Sequence, residues 1–308
     1  MRKFVLLVSL VFLIPTLKIR AAILNDSIPS GKNFDKAAFR LWYPDQTKTI
    51  KGVIVLVPGS NGDGRGLVSD LFWQELAQKH HFALLGCYFT DRIHEDMEVE
   101  DYANAQEGSG LALLTALTNF AMKAGFPELA NAPLVLWGHS AGGEFNYEFV
   151  NWKPEKVIAF VVNKGGFYFT ALGSKQARNV PGIIFTGEKD LQSRKDILKG
   201  IFSINRRVGA LWTFAEEPGA GHEIGQTQKL AGIFFNEVIP LRIPQSVDLK
   251  DNSTVLQFLS VNSGYAGNCK SLSYKEISNE QKDPSISWLP TLKFAMAWLS
   301  FFTFVANS

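Results

Sequence analysis

At 308 residues the chain can hold one large domain or two ordinary ones, and 46% apolar with 19% charged residues excludes an intrinsically disordered protein. The net charge is +2 and the charges are scattered. Without a basic stripe or an acidic block, nucleic acid is not an expected partner.

Met1, Arg2 and Lys3 precede an apolar run over 4–17, broken only by Pro15. Such a run is too short to span a bilayer comfortably but fits the apolar region of a secretory signal. The expectation is a signal peptide over 1–22, cut near Ala21 and Ala22, and export to the periplasm or the exterior. Lys18 and Arg20 disturb the usual small-residue cleavage site, so an uncleaved anchor and a buried N-terminal helix are the alternatives. Residues 23–308 read as a single domain.

Short apolar runs at 53–57, 82–87, 134–137, 157–162, 183–186 and 210–214 are rich in Val, Ile, Leu and Phe and mostly lack alternation. That is the pattern of strands buried on both faces of a parallel sheet. Between them, 67–79, 107–124, 143–152, 195–206 and 227–237 carry helical spacing. Alternating β and α units predict a mostly parallel sheet with helices on both faces, class α/β. Residues 39–43 add an earlier strand, read as an antiparallel edge. Beyond 243 the rhythm breaks: 244–287 is rich in Ser, Asn, Gly and Lys and reads as surface loops. A C-terminal helix follows Pro290, with an expected apolar stripe of Leu292, Ala295 or Met296, Leu299 and Phe302. Lys293 shortens that stretch too far for a membrane span.

Cys87 and Cys269 are the only cysteines. Two inert thiols are favoured over a bridge between them. Adjacent His80 and His81 do not make a metal site, and no metal or other cofactor is expected.

Three motifs follow three of the strands. In "LWGHSAGGEF", Ser140 sits on a turn between a strand and a helix, where Gly138 and Gly142 leave room for the backbone and Gly143 lets the helix approach the sheet. In "IIFTGEKD", Asp190 lies three residues after a glycine and is preferred as the acid over Glu188. In "EEPGAGHEIG", His222 occupies a glycine-rich loop. A serine nucleophile needs a base to take its proton and a carboxylate to orient that base. In an open parallel sheet all three belong at the carboxyl ends of strands. His139, beside the serine, reads as a residue that packs or orients the turn.

The order Ser140, Asp190, His222 resembles that of the α/β-hydrolase fold, and "GHSAGG", "TGEKD" and "GAGH" resemble its nucleophile elbow, acid loop and histidine loop. The resemblance covers roughly 39–237 and leans toward the dienelactone-hydrolase-like and carboxylesterase branches. It implies an oxyanion hole using the Ala141 amide and a second amide from "VLVPGSNGDGRG". Many members carry His-Gly there, whereas this chain has Pro58 and Gly59, leaving Ser60 and Asn61 as alternatives. The same loop lacks the Gly-Lys-Ser/Thr ending of a phosphate cradle.

Substrate-pocket candidates are Asp91 and Arg92 after one strand and Phe167 and Tyr168 after another. The expected function is a serine hydrolase of carboxylic esters, acting on a small-molecule or polymer ester through an acyl-enzyme. A peptidase or acyltransferase with the same three residues, and a non-catalytic binding protein on the same fold, are the alternatives. Oligomeric state has no signature in the sequence.

Overall fold

The computed structural model describes residues 21–244, 255–278 and 283–303. The apolar run over 4–17 lies outside them, as do parts of 244–287. Along the chain come β1 (Ala21–Ile28), β2 (Lys36–Pro44), β3 (Gly52–Val57), α1 (Leu71–His80) and β4 (Phe82–Thr90). Next are α2 (Ser109–Ala124), β5 (Leu134–His139), α3 (Ala141–Trp152), β6 (Val157–Asn163), α4 (Lys175–Arg178) and β7 (Gly182–Gly187). Then follow α5 (Gln192–Arg206), β8 (Trp212–Glu217), α6 (Thr227–Arg242), β9 (Tyr265–Asn268), β10 (Ser273–Glu276), β11 (Ile286–Leu289) and α7 (Leu292–Thr303).

Strands β1 to β8 form one sheet in the order β1-β2-β4-β3-β5-β6-β7-β8. β1 and β2 are antiparallel to their neighbours, and β4 onward is parallel. The non-alternating strands face two cores. Val53, Val55 and Val57 enter the layer packed by α2, α3 and α5. Ile54 and Leu56 point to the opposite layer, with Trp73 of α1, Phe234 and Phe235 of α6 and Trp298 of α7. Every residue of β3 and β7 is buried, which only helices on both faces allow.

The chain order reverses at β3: it runs outward to β4, then crosses back to β5 on the other side. A sheet of this kind leaves a crevice at that switch point, beyond the carboxyl ends of the strands. "GHSAGG" spans the end of β5 and the start of α3, directly beside the loop that follows β3.

Four expectations change. The outer edge of the sheet is β1, so the strand over 39–43, expected at an edge, lies one place inside it. β1 left little trace in the sequence because Ile23 points outward and Asp26 inward, against the usual alternation. The last strand of the large sheet lies at Trp212–Glu217, starting two residues later and ending three later than the apolar run at 210–214. Where surface loops were expected over 244–287, the described part holds a three-stranded antiparallel sheet, β10-β9-β11. Its strands are only four residues long and mostly polar outside, so the sequence signal is faint. This sheet covers β8, whose outer edge would otherwise be open. Ser287 Oγ accepts from the Phe214 N–H at 2.9 Å, and Thr213 Oγ1 donates to the Trp288 carbonyl at 2.6 Å.

Finally, α7 buries Phe294, Ala295 and Trp298, while Leu292 and Met296 are exposed. The helix is turned from its expected stripe by Trp298, whose indole N–H donates to the Phe214 carbonyl at 2.9 Å. Among the described residues no helix is long and apolar enough to cross a membrane.

Cys87 and Cys269 are free thiols. Burial pushes both up, the Cys269 thiol to about 12.

Candidate active site

Ser140 has φ 53° and ψ −125°, a backbone state that L-residues avoid. It joins β5 to α3 with no intervening loop, and its carbonyl accepts from the Gly143 and Glu144 N–H groups. The turn closes only because its neighbours lack side chains. A Cβ on Gly138 would sit 2.1 Å from the Gly142 oxygen, and one on Gly142 would sit 2.2 Å from the Val57 oxygen. These obstacles are backbone atoms, so they cannot swing aside. Gly142→Ala is therefore expected to destabilise the fold by about 3 kcal/mol, the upper part of the range for overpacking. Denaturant unfolding measures it; an unchanged midpoint and slope contradict the steric account.

Of the five non-glycine residues with positive φ among the described residues, three are Asn61, Ser140 and Lys164. They follow β3, β5 and β6, so backbone strain gathers at one end of the sheet, as it does at functional sites.

The sequence-predicted trio meets there. His222 Nε2 lies 3.0 Å from Ser140 Oγ, and its Nδ1 lies 2.9 Å from Asp190 Oδ2. The Asp190 side chain is 2% exposed. Burial alone would raise its carboxyl pKa. Hydrogen bonds from His222, the Leu191 N–H and Arg194 outweigh that and hold it below the usual carboxylate range. An ionised carboxylate only accepts, so the imidazole carries its proton on Nδ1 and offers the Nε2 lone pair to the serine hydroxyl. Glu188, the competing acid, turns away: its Oε2 accepts from the Gly219 N–H at 2.6 Å.

His139 packs behind the trio, its ring centroid 5.3 Å from that of His222. Its Nε2 donates to the His222 carbonyl at 2.6 Å. Burial lowers its pKa, favouring the neutral ring.

The Ala141 N–H, at the start of α3, has no hydrogen-bond partner among the described residues. The loop after β3 passes close by, since a Cβ on Gly59 would lie 3.4 Å from Ser140 Cβ. The Ser60 N–H is likewise unpartnered among the described residues. The Asn61 N–H is occupied: it donates to Tyr102 Oη at 3.2 Å.

Asp91 explains why. Its N–H donates to Asn61 Oδ1 at 2.8 Å, and its buried carboxylate accepts from the Asp101 and Tyr102 N–H groups. Asn61, Asp91 and Tyr102 thus close a ring of hydrogen bonds that braces the loop after β3. Arg92 is exposed and donates to Ser30 Oγ at 2.7 Å. Phe167 is exposed, whereas Tyr168 tucks inward against Tyr147, ring centroids 5.0 Å apart. The loop bearing both is held by Glu144, whose Oε1 accepts from the Gly166 and Phe167 N–H groups. Burial pushes the Glu144 carboxyl up to about 7.

Tyr102 and Glu144 escaped the sequence pattern. Glu144 stands one helical turn after the serine, a signal of position, whereas Tyr102 has none. Among the described residues, no cluster of three His, Cys, Asp or Glu side chains could hold a metal ion.

No protein-family model matches the chain, and no curated protein matches it in sequence. Solved structures do match. A ferulic acid esterase aligns with TM-score 0.50 and 10% identity over 71% of this chain and 97% of its own. A poly(3-hydroxybutyrate) depolymerase from Bordetella parapertussis aligns with TM-score 0.50 and 16% identity over 76% of this chain and 94% of its own. At such identities the likeness is one of fold. Together with the sheet order, it makes this chain an α/β-hydrolase-fold protein.

Proposed function

We propose that this chain is a serine hydrolase that cleaves carboxylic esters. The observation that carries the reading is the unbroken hydrogen-bond relay Asp190–His222–Ser140, on a strained turn at the switch point of the sheet. Ser140 Oγ attacks the acyl carbon while His222 Nε2 takes its proton. The imidazolium, steadied by Asp190, passes that proton to the departing alcohol oxygen, leaving Ser140 acylated. Water, deprotonated by the same imidazole, then releases the acid and restores the hydroxyl.

Negative charge develops on the substrate carbonyl oxygen beside two unpartnered amides. Ala141 and Ser60 are assigned as donors, each worth about 3 to 4 kcal/mol to the transition state. Asn61 is not assigned, because its N–H already serves Tyr102. The structural neighbours named an esterase and a depolymerase of a polyester are consistent with an ester substrate. Export through a cleaved signal over 1–22 is part of the proposal, and cleavage after Ala22 would remove the two β1 residues paired with Pro44 and Tyr43.

One experiment tests both parts. The protein is expressed with its N-terminus intact, treated with a fluorophosphonate probe and analysed by mass spectrometry. The adduct is expected on Ser140, and the exported chain is expected to start near Ile23. A probe that spares Ser140 sinks the hydrolase, and an intact Met1 on exported protein sinks the cleaved signal.

A further inference from the structure

The loop that presents His222 leaves β8 after Glu217 and enters α6 at Thr227. It contains Gly219, Gly221 and Gly225, and Gly219 and Gly225 have positive φ. So many glycines give a loop a wide choice of backbone states. The imidazole it carries must nonetheless stay in hydrogen-bond register with two partners.

Polar side chains grip the loop at successive residues. Lys164 Nζ lies 2.7 Å from Glu217 Oε2, with the two side chains 0% and 4% exposed. Glu217 Oε1 accepts from the Gln226 N–H at 2.5 Å, which ties the two ends of the loop together. Lys164 Nζ also donates to the Glu223 carbonyl at 2.5 Å, and Asn163 Nδ2 donates to the Ile224 carbonyl at 3.3 Å. With His139 on the His222 carbonyl, the backbone is held at 222, 223, 224 and 226.

We propose that Lys164 and Glu217 form a buried ion-pair clamp that positions His222 for proton transfer; the inference rests on the hydrolase reading above. Both are positioning residues, since neither touches Ser140 Oγ. Stability alone does not account for the pair. Removing two charges from water costs several kcal/mol per ion, and an apolar pair of equal volume often does as well or better. What an apolar pair cannot do is hold a loop backbone by directed hydrogen bonds.

Two further observations tie the pair to this task. A Cβ on Gly225 would lie 2.3 Å from both carboxylate oxygens of Glu217, so the loop has a glycine where that carboxylate must fit. Lys164 has φ 59°, strained for a residue with a side chain. It directly follows Asn163, whose carbonyl accepts from the Ser140 N–H at 2.8 Å. One two-residue step at the end of β6 therefore fixes both the serine turn and the histidine loop.

The test is the double variant Lys164→Met/Glu217→Gln, which removes both charges and leaves neither buried alone. It is expected to unfold as cooperatively as the wild type while kcat for a nitrophenyl ester falls about 100-fold, the effect of roughly ångström misplacement. KM should stay within about twofold, because the loss falls on the chemical step. Amide hydrogen exchange over 218–226 should speed up. In a His222→Ala background the same two changes should alter the residual rate by less than about twofold, since their effect passes through the imidazole. A general loosening would lower both backgrounds alike.

Wild-type kcat in the double variant overturns the clamp, as does unchanged exchange of the loop. The exchange measurement needs no activity. A wild type that cleaves no ester would therefore sink the hydrolase reading, while exchange still decides whether the clamp holds the loop. If the double variant does not fold, Glu217→Gln alone gives the same comparison, because it keeps the side-chain volume and an acceptor oxygen for the Gln226 N–H while removing the ion pair.

Discussion

Ser140→Ala is expected to lower kcat for ester hydrolysis by about 10^6-fold, and His222→Ala by a similar factor. The two side chains act as one unit: the hydroxyl is a nucleophile only while Nε2, 3.0 Å away, takes its proton. Once either is gone, the other has no task left in the covalent route. The double variant should then be no slower than the worse single one. A residual acceleration of about 10^3 to 10^4 over water should remain from the Ala141 and Ser60 amides and from substrate binding. Steady-state kinetics on a nitrophenyl ester measure all three. Folding should be little affected, because the Ser140 side chain is partly exposed and its hydroxyl has one hydrogen-bond partner. Effects that multiply in the double variant would mean that Ser140 and His222 serve separate steps.

Asp190→Asn is expected to reduce kcat by about 10^4-fold, and Glu188→Gln by no more than a few-fold. The replacement keeps the size of the Asp190 side chain but removes its charge. An amide that turns its NH2 toward Nδ1 favours the tautomer with the proton on Nε2, where it cannot accept from Ser140. Glu188 is a neighbour in sequence only, since its carboxylate faces the Gly219 amide.

The pH dependence has a definite sign. The folded-state pKa of Asp190 is depressed, so its contribution to stability is present above the unfolded value and lost as pH falls through the folded value. Asp190→Asn should therefore flatten the acid side of the stability profile. Arg194 contributes less to this than His222 does, its contact with Asp190 being the longer one, 3.1 Å against 2.9 Å. Kinetics and acid titration of Asp190→Asn beside Glu188→Gln decide the assignment; a larger kinetic loss in Glu188→Gln reverses it.

Much of the fold was legible because a buried parallel strand needs an apolar residue at every position, whichever face it points to. β3, β5, β6 and β7 therefore stand out as apolar runs dominated by Val, Ile, Leu and Phe. Strands with an easier neighbourhood left weaker traces. β1 is a half-exposed edge, and β9, β10 and β11 are short and capped by side-chain hydrogen bonds rather than by long ladders. The site was legible to the extent that backbone strain demands particular residues. Gly138 and Gly142 face backbone oxygens, so the turn around Ser140 writes its shape into the chain.

What the sequence by itself determined is the alternation of strands and helices, the strained serine turn, and the order in which a serine, an acid and a histidine follow their strands. These rest on local constraints: burial on both faces, φ values and the absence of a Cβ. The tertiary structure alone decided which equivalent groups do which work. It engaged the Asn61 amide with Tyr102 and left that of Ser60 free, turned Glu188 away from His222, and drew Asp91 into bracing a loop. It also paired Lys164 with Glu217 across the histidine loop. Each of these is a hydrogen bond between residues distant in the chain, and its partner is chosen by how strands lie side by side, which no local pattern records.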